Sequence, residues 1–208
     1  LRYLTQLYGL APEMALFAAL RQLGDVEPAG LPLMALVCAF CRDPQLRQSF
    51  ALVDRLATGA PYSRLAMEAH LEECFPHRFS AKMKKSLAQN VSTTWTVSGH
   101  LKGRVAKVRA APSAQPAASV YAMFAGYLFG LRGDNLVHSV FGRLVAPDAS
   151  GILPHLAHGS ARGWLRFRHA GGVMEMDFSP LMSWIGHEKD LAHCLLYTSP
   201  SPRDQRGS

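Results

Sequence analysis

The sequence lacks the features that mark membrane proteins and the common classes of enzyme. Its longest uncharged apolar run, from Leu31 to Cys41, falls well short of the roughly 20 residues that a membrane-spanning helix needs. A secretory signal peptide has a basic segment, then an apolar stretch and a cleavage site, and the sequence shows no such pattern. Walker-type phosphate loops, dinucleotide fingerprints, nucleophile elbows and HExxH zinc motifs are also absent. We therefore expect a cytoplasmic protein that is no enzyme, has no cofactor or metal and does not bind membranes.

Cysteine is scarce as well. The 208-residue chain has four cysteines, and 49% of its residues are hydrophobic against 18% charged, which is the composition of a globular protein. One cysteine, Cys194, lies in a tail of doubtful origin, which leaves an odd number in the rest. A chain of this size forms a core without disulfide bonds, so the cysteines favour a reducing compartment.

Acidic residues are missing from one 60-residue stretch. The whole sequence has 22 Lys and Arg against 15 Asp and Glu, a formal net charge of +7. Residues 74–133 contain nine of these basic residues and no acidic one, whereas the flanking segments are close to neutral. An uninterrupted basic stretch is typical of a surface that binds a polyanion. It favours a nucleic acid, DNA or RNA, over the main alternative, an acidic protein partner.

The spacing of apolar residues predicts a mainly α protein, a helical bundle that contains a winged helix-turn-helix-like element and a C-terminal β-hairpin. Residues 1–75 are predicted to form the N-terminal helical bundle, and residues 76–111 a basic recognition helix with a wing-like segment. Residues 112–193 are predicted to form further helices and the hairpin, whose turn is Ala170-Gly171-Gly172. Residues 194–208 resemble a translated sequencing adapter, and we expect them to be non-native.

Helix ends are marked by residues that favour them. N-cap residues precede three segments with helical periodicity, at Asp43, Ser63 and Ser80. Gly24 is predicted to end the first helix, and Asp134 is predicted to cap a later one that runs through Leu144.

The helix that follows Ser80 carries the chemistry most typical of a function. Its helical wheel predicts a core-facing side centred on Met83, formed by Met83, Leu87, Val91, Thr94 and Trp95. The opposite side has amines, an amide and hydroxyls but no carboxylate, from Lys82, Lys85, Gln89, Thr93 and Thr96. A helix in a DNA major groove needs these groups, because Lys and Thr contact phosphates while Gln or Lys contacts base edges. Lys84 falls nearer the core side, where its amine needs a contact of its own.

A short basic segment follows Gly99, where this helix is predicted to end. Its basic residues are Lys102, Arg104, Lys107 and Arg109. A helix followed by a basic extended segment is the order of recognition helix and wing in a winged helix-turn-helix. We therefore predict that the protein binds double-stranded DNA. Lys82, Lys85, Gln89 and Thr93 would enter the groove, and the four basic residues of the wing would hold phosphates.

This layout resembles the BrxA-like proteins, small helical accessory proteins of bacterial phage-exclusion (BREX) loci. The resemblance is carried by the helix from Ser80 to Trp95, the turn Ser98-Gly99-His100-Leu101, the basic residues of the wing, and the next helix with Tyr121-Ala122 and Gly126-Tyr127-Leu128. It implies a winged-helix element, DNA binding in phage defence, other defence-system proteins as partners, and no catalytic role.

The sequence leaves two alternative functions open. The protein could be an adaptor whose basic face docks an acidic protein, or a redox or metal enzyme that uses Cys38 and Cys41. That CxxC pair falls in the last turns of an apolar helix, where the helix dipole disfavours a thiolate, so buried core cysteines are favoured. His155 and His158 have the spacing of two metal ligands on one helix, but no third ligand stands at a recognisable distance.

Overall fold

The computed structural model describes residues 14–187, which are mainly helical and include two small antiparallel sheets. The described residues form two compact units, the first made of residues 14–42 and 114–187, the second of Asp43–Ser113. The first division, after Arg42, precedes the predicted boundary after residue 75, and the second, after Ser113, lies close to the predicted boundary after residue 111. The tail predicted to be non-native, residues 194–208, lies outside the described residues. No helix within residues 14–187 is long and apolar enough to cross a membrane.

The helices and strands are numbered in chain order. Those of the first unit are α1 (Ala15–Val26), α2 (Leu31–Phe40), α6 (Pro116–Leu128), α7 (Asp134–Val137), α8 (Val140–Arg143), α9 (Leu153–Ala161), β4 (Arg166–Ala170), β5 (Val173–Asp177) and α10 (Ser179–Trp184). Those of the second unit are α3 (Pro44–Arg55), β1 (Pro61–Tyr62), α4 (Arg64–Cys74), α5 (Ala81–Val97), β2 (Leu101–Lys102) and β3 (Lys107–Arg109). Two short 3-10 helices, Pro28–Gly30 and Ala149–Gly151, belong to the first unit.

Helix α6 forms the centre of the first unit. Its sequence is apolar or small nearly all round, and almost all of its residues are buried, as expected of a helix covered on several sides. Helices α1, α2, α8 and α9 pack against it. The carboxylate of Glu27 accepts a hydrogen bond from the backbone N–H of Ala117 at 2.7 Å, which satisfies one of the free donors in the first turn of α6. Of the four helices predicted within residues 1–75, α1 and α2 belong to the first unit and α3 and α4 to the second.

Two helix ends of the first unit differ from their predictions. Gly24 does not end α1, which continues to Val26; a Cβ at Gly24 would lie 2.7 Å from Leu31 Cδ1, so this glycine serves close packing. Asp134 is not an N-cap, because Gly133 holds that position and Asp134 lies in the first turn. Instead of one helix through Leu144, two four-residue helices form, α7 and α8, the second capped by Ser139.

The predicted β-hairpin of the first unit forms, but Ala170, which was predicted in its turn, is the last residue of β4 and pairs with Val173. Strands β4 and β5 pair antiparallel through Gly171 and Gly172, both of which have positive φ angles. Arg166 donates a hydrogen bond to Asp177 at 2.7 Å across the strands. This ion pair accounts for Arg166 without any ligand.

The second unit contains three helices that pack in sequence order, and α5 packs against β2 of a three-stranded antiparallel sheet of order β1-β3-β2. The predicted caps are confirmed, since the side chains of Asp43, Ser63 and Ser80 accept hydrogen bonds from the first turns of α3, α4 and α5. The core centres on Trp95 of α5, whose ring stacks on that of Phe50 at 5.3 Å between centroids. Its indole N–H donates a hydrogen bond to Ser49 Oγ at 2.9 Å, so the one polar atom of the buried ring is satisfied.

Candidate functional site

The turn between α4 and α5 is fixed by a carboxylate. Glu72, near the end of α4, accepts a hydrogen bond from the backbone N–H of His77 at 3.0 Å and from Lys84 Nζ at 2.6 Å. Both hydrogen bonds favour the charged carboxylate and lower the pKa of Glu72, with Lys84 as the larger cause. The polar contact that the sequence requires for Lys84 is therefore Glu72, and it ties the first turn of α5 to α4.

The exposed face of α5 is rotated relative to the prediction. Met83, predicted at the centre of the core-facing side, is 55% exposed. The residues that are buried are Ala88, Val91, Ser92 and Trp95. The stacking of Trp95 on Phe50 and the contact of Lys84 with Glu72 together turn this side of the helix inward. Asn90, which the prediction left out of the functional face, is consequently exposed beside Gln89.

Strands β2 and β3 form a short hairpin next to α5. A Cβ at Gly103 would lie 2.1 Å from the carbonyl oxygen of Ala106, and the φ angle of Gly103 is +112°, so the turn requires glycine. Lys107 Nζ donates a hydrogen bond at 2.5 Å to Thr96 Oγ1, which connects β3 to α5. At the tip, Val105 is 95% exposed. Helix α5 is thus connected to a hairpin whose tip reaches solvent.

A cleft of about 390 Å³ lies between α5, β1 and the tip of the hairpin. Its lining residues are Tyr62, Arg64, Gln89, Ser92, Thr93, Arg104, Val105 and Lys107. Three of these side chains are cationic and none is a carboxylate. An arrangement of cations, an amide and hydroxyls around one cleft can bind an anion such as a phosphate.

Two residues of the cleft were missed by the sequence analysis, Tyr62 and Arg64. Burial raises the pKa of the Tyr62 phenol to about 12, outweighing the opposing effects of Ser92 and the Arg64 charge. The phenol stays protonated at neutral pH and keeps a proton to donate. Arg64 directly follows the cap Ser63, and its guanidinium also contacts Glu68 of the same helix at 3.3 Å. A basic residue directly after the N-cap of α4 was the signal that could have identified Arg64.

The predicted binding residues fall into three groups. Gln89, Thr93, Arg104 and Lys107 meet in the cleft. Lys82, Lys85 and Lys102 are exposed outside its lining. Arg109 is half-buried, donates hydrogen bonds to the carbonyl oxygens of His100 and Ala110, and has its pKa lowered by burial. The guanidinium of Arg109 therefore holds the base of the hairpin, and the structure does not bring it to the cleft.

Nearly all of the excess charge belongs to the second unit. Its residues 43–113 include eleven Lys and Arg against five Asp and Glu, a formal net charge of +6 out of the +7 of the whole chain. Two of its five carboxylates, Glu68 and Glu72, are engaged in ion pairs within the unit, and Asp43 caps α3. The charge is thus concentrated on the unit that contains the cleft.

The other candidate residues lie in the first unit. Cys38 and Cys41 are buried, and burial raises the pKa of the Cys38 thiol. His155 Nδ1 and the hydroxyl of Ser119 are hydrogen-bonded at 2.8 Å, and burial lowers the pKa of His155. Within residues 14–187, no three His, Cys, Asp or Glu side chains come together as metal ligands would.

Comparison with known proteins adds no relative. No protein-family model matches the chain, and neither the curated proteins nor the solved structures include a significantly similar one.

Proposed function

We propose that the second unit is a winged helix-turn-helix that binds double-stranded DNA. The observation that carries the proposal is the cationic cleft between α5 and the β2–β3 hairpin. The order of helices and strands in the unit that contains this cleft also fits the proposal. This element order, helix, strand, helix, helix, strand, strand, and the sheet order β1-β3-β2 support the proposal, because winged helices typically have this order. Helix α4 is then the supporting helix, α5 the recognition helix and the hairpin the wing.

The roles of the side chains follow from their positions. Lys82, Lys85, Gln89 and Thr93 are exposed on α5 and enter the major groove. Lys102 and Arg104 of the wing, with Lys107 at its base, contact phosphates. Arg64 joins them at the start of α4, where a supporting helix crosses the DNA backbone. Arg109 acts as a positioning residue for the wing, because its guanidinium bonds to backbone carbonyls.

The charge distribution supports a polyanion as the partner. Phosphate contacts provide most of the sequence-independent affinity for DNA, and each contact releases counterions. A unit of net charge +6 with three cations around one cleft supplies such contacts. Carboxylates, which would repel phosphates, are absent from the cleft lining.

The wider proposal is a non-enzymatic accessory protein of phage defence, in the cytoplasm and without a cofactor. It is supported by the resemblance of α5, the turn after it and the wing to BrxA-like proteins. Other proteins of the same defence system are the protein partners that this resemblance implies.

Binding of different polyanions tests the proposal. Fluorescence anisotropy of the full chain with a short labelled DNA duplex should give micromolar or tighter binding at low salt. Double-stranded RNA of the same sequence and polyglutamate should compete more weakly, because neither presents a B-form major groove. The double variant Arg64→Ala, Arg104→Ala should weaken binding, whereas Arg21→Ala, Arg168→Ala removes equal charge from the first unit and should not.

The alternative functions are outcomes of the same experiment. Polyglutamate that competes as well as DNA would favour an adaptor that docks an acidic protein. Preferential competition by double-stranded RNA would move the partner to RNA. The absence of duplex binding at low salt would contradict the proposal.

A further inference from the structure

Four uncharged polar residues occupy the middle of the exposed face of α5. They are Ser86, Gln89, Asn90 and Thr93, all of them exposed. Their spacing of three, four and seven residues puts them on one side of the helix. From the first to the last the helix rises about 10 Å, which corresponds to about three base-pair steps of DNA. This face therefore has the length of a short base-reading surface.

The two amides on this face are available for a ligand. Among the hydrogen bonds of residues 14–187, the side chains of Gln89 and Asn90 take part in none. At these two positions the backbone carbonyl oxygens accept hydrogen bonds from the hydroxyls of Thr93 and Thr94. Each amide therefore presents both a donor and an acceptor to solvent.

The cations of α5 lie elsewhere on the helix. Lys84 is bound to Glu72, and Lys82 and Lys85 lie in the first turns, before the amides. Within the described part of the chain no arginine belongs to α5. The bidentate partner most typical of guanine is thus missing from the middle of this face.

We infer that α5 reads adenine–thymine base pairs in the major groove through Gln89 and Asn90, an inference that rests on the proposed binding of duplex DNA. Adenine offers one donor, its N6 amino group, and one acceptor, N7, which a side-chain amide matches with two hydrogen bonds. Guanine offers two acceptors at the same edge and leaves the amide oxygen without a donor. The Thr93 methyl group, one turn further along, suits contact with the thymine methyl.

Selection of bound sequences from a randomised duplex pool tests the inference with the full chain. The wild-type protein should enrich a window of about three successive A·T pairs, in line with the length of the face. In the best duplex, replacing adenine by 7-deazaadenine removes the N7 acceptor and keeps base pairing and the minor groove. This replacement should weaken binding about tenfold or more, as loss of a bidentate contact does.

Variants assign the effect to the two amides. Gln89→Ala and Asn90→Ala should each lower the preference for the selected duplex over a G·C-substituted one by about tenfold. Neither amide neutralises a phosphate, so the slope of binding against salt should keep its wild-type value, and circular dichroism should show an unchanged helical fold. Asn135→Ala removes an exposed amide from the first unit and should leave the preference intact.

Two results would overturn the inference in different ways. Salt-dependent binding without A·T enrichment, or without a 7-deazaadenine effect, would refute base reading by the amides while DNA binding stands. The absence of binding to any duplex would refute both the inference and the proposed function.

Discussion

Lys84 and Glu72 form the contact that sets the start of α5, with 2.6 Å between Nζ and Oε2. Each comes from one of two consecutive helices, and Glu72 also accepts the backbone N–H of His77 in the turn between them. The lysine is thereby removed from the exposed face of its helix. Within the basic stretch of residues 74–133, Lys84 therefore has a structural role, and its neighbours Lys82 and Lys85 remain to contact a ligand.

Replacing Glu72 by Gln should lower the urea midpoint of unfolding at neutral pH, because the charged partner of Lys84 is lost. The pKa of Glu72 is below its ordinary value of 4.5 in the folded chain. The carboxylate therefore stabilises the fold above that value, and this contribution disappears as the pH falls through the folded pKa. Urea titrations of both proteins from neutral to acidic pH should converge. A difference in midpoint that is the same at every pH would contradict the role of the charge.

Replacing Ser49 by Ala should destabilise the second unit by about 1–3 kcal/mol, since it leaves the buried indole N–H of Trp95 without a partner. Trp95→Phe removes that donor, so adding Ser49→Ala to this variant should cost much less. Urea denaturation followed by circular dichroism gives the four free energies of the double-mutant cycle. Additive effects of the two substitutions would show that the Trp95–Ser49 hydrogen bond contributes nothing.

Two glycines of the first unit, Gly142 and Gly159, lie so close to neighbouring atoms that an added Cβ would clash. A Cβ at Gly142 would lie 1.9 Å from the carbonyl oxygen of Val137, and one at Gly159 would lie 2.5 Å from Val120 Cγ2. Side chains yield more easily than backbone, so Gly142→Ala should be the more destabilising change, with overpacking costs of about 1–3 kcal/mol or more. Thermal unfolding of both variants measures the difference. A Gly142→Ala variant as stable as the wild type would contradict the close approach.

The cysteines should differ in their reactivity in the folded protein. Burial raises the pKa of both the Cys38 and the Cys74 thiol, so accessibility distinguishes them: Cys38 and Cys41 are buried, whereas Cys74 is only partly covered. In a Cys194→Ser variant, a thiol reagent under native conditions should modify Cys74 first and reach the other two only on unfolding. Mass spectrometry of the labelled peptides locates the modification. Rapid native labelling of Cys38 or Cys41 would revive the redox hypothesis.

The features that sequence analysis predicted best are local. The caps at Asp43, Ser63 and Ser80 and the turn at Gly171-Gly172 depend on residues close in sequence, and the structure contains them all. Local chemistry alone is sufficient for such features.

Features that depend on distant partners were predicted less well. Gly24 resembles a helix stop in the sequence, but its role depends on Leu31 packing against it. Met83 has the sequence pattern of a core residue. Which side of α5 faces the core is, however, determined by its contacts with Glu72 and Phe50, which belong to other helices. For the same reason the helical wheel did not place Asn90 on the exposed face. The sequence also could not show that Tyr62 and Arg64 line a cleft with residues of α5, because this depends on the order of strands in the sheet.

The salt dependence of DNA binding tests the central claim most directly. Binding of the full chain to a labelled duplex across a salt series should give a slope that corresponds to several phosphate contacts. Lys102→Ala with Arg104→Ala should reduce that slope by about two, whereas the control Arg21→Ala with Arg168→Ala should leave it unchanged. An unchanged slope in the wing variant would contradict the contact of the wing with DNA, and the absence of binding would contradict the account as a whole.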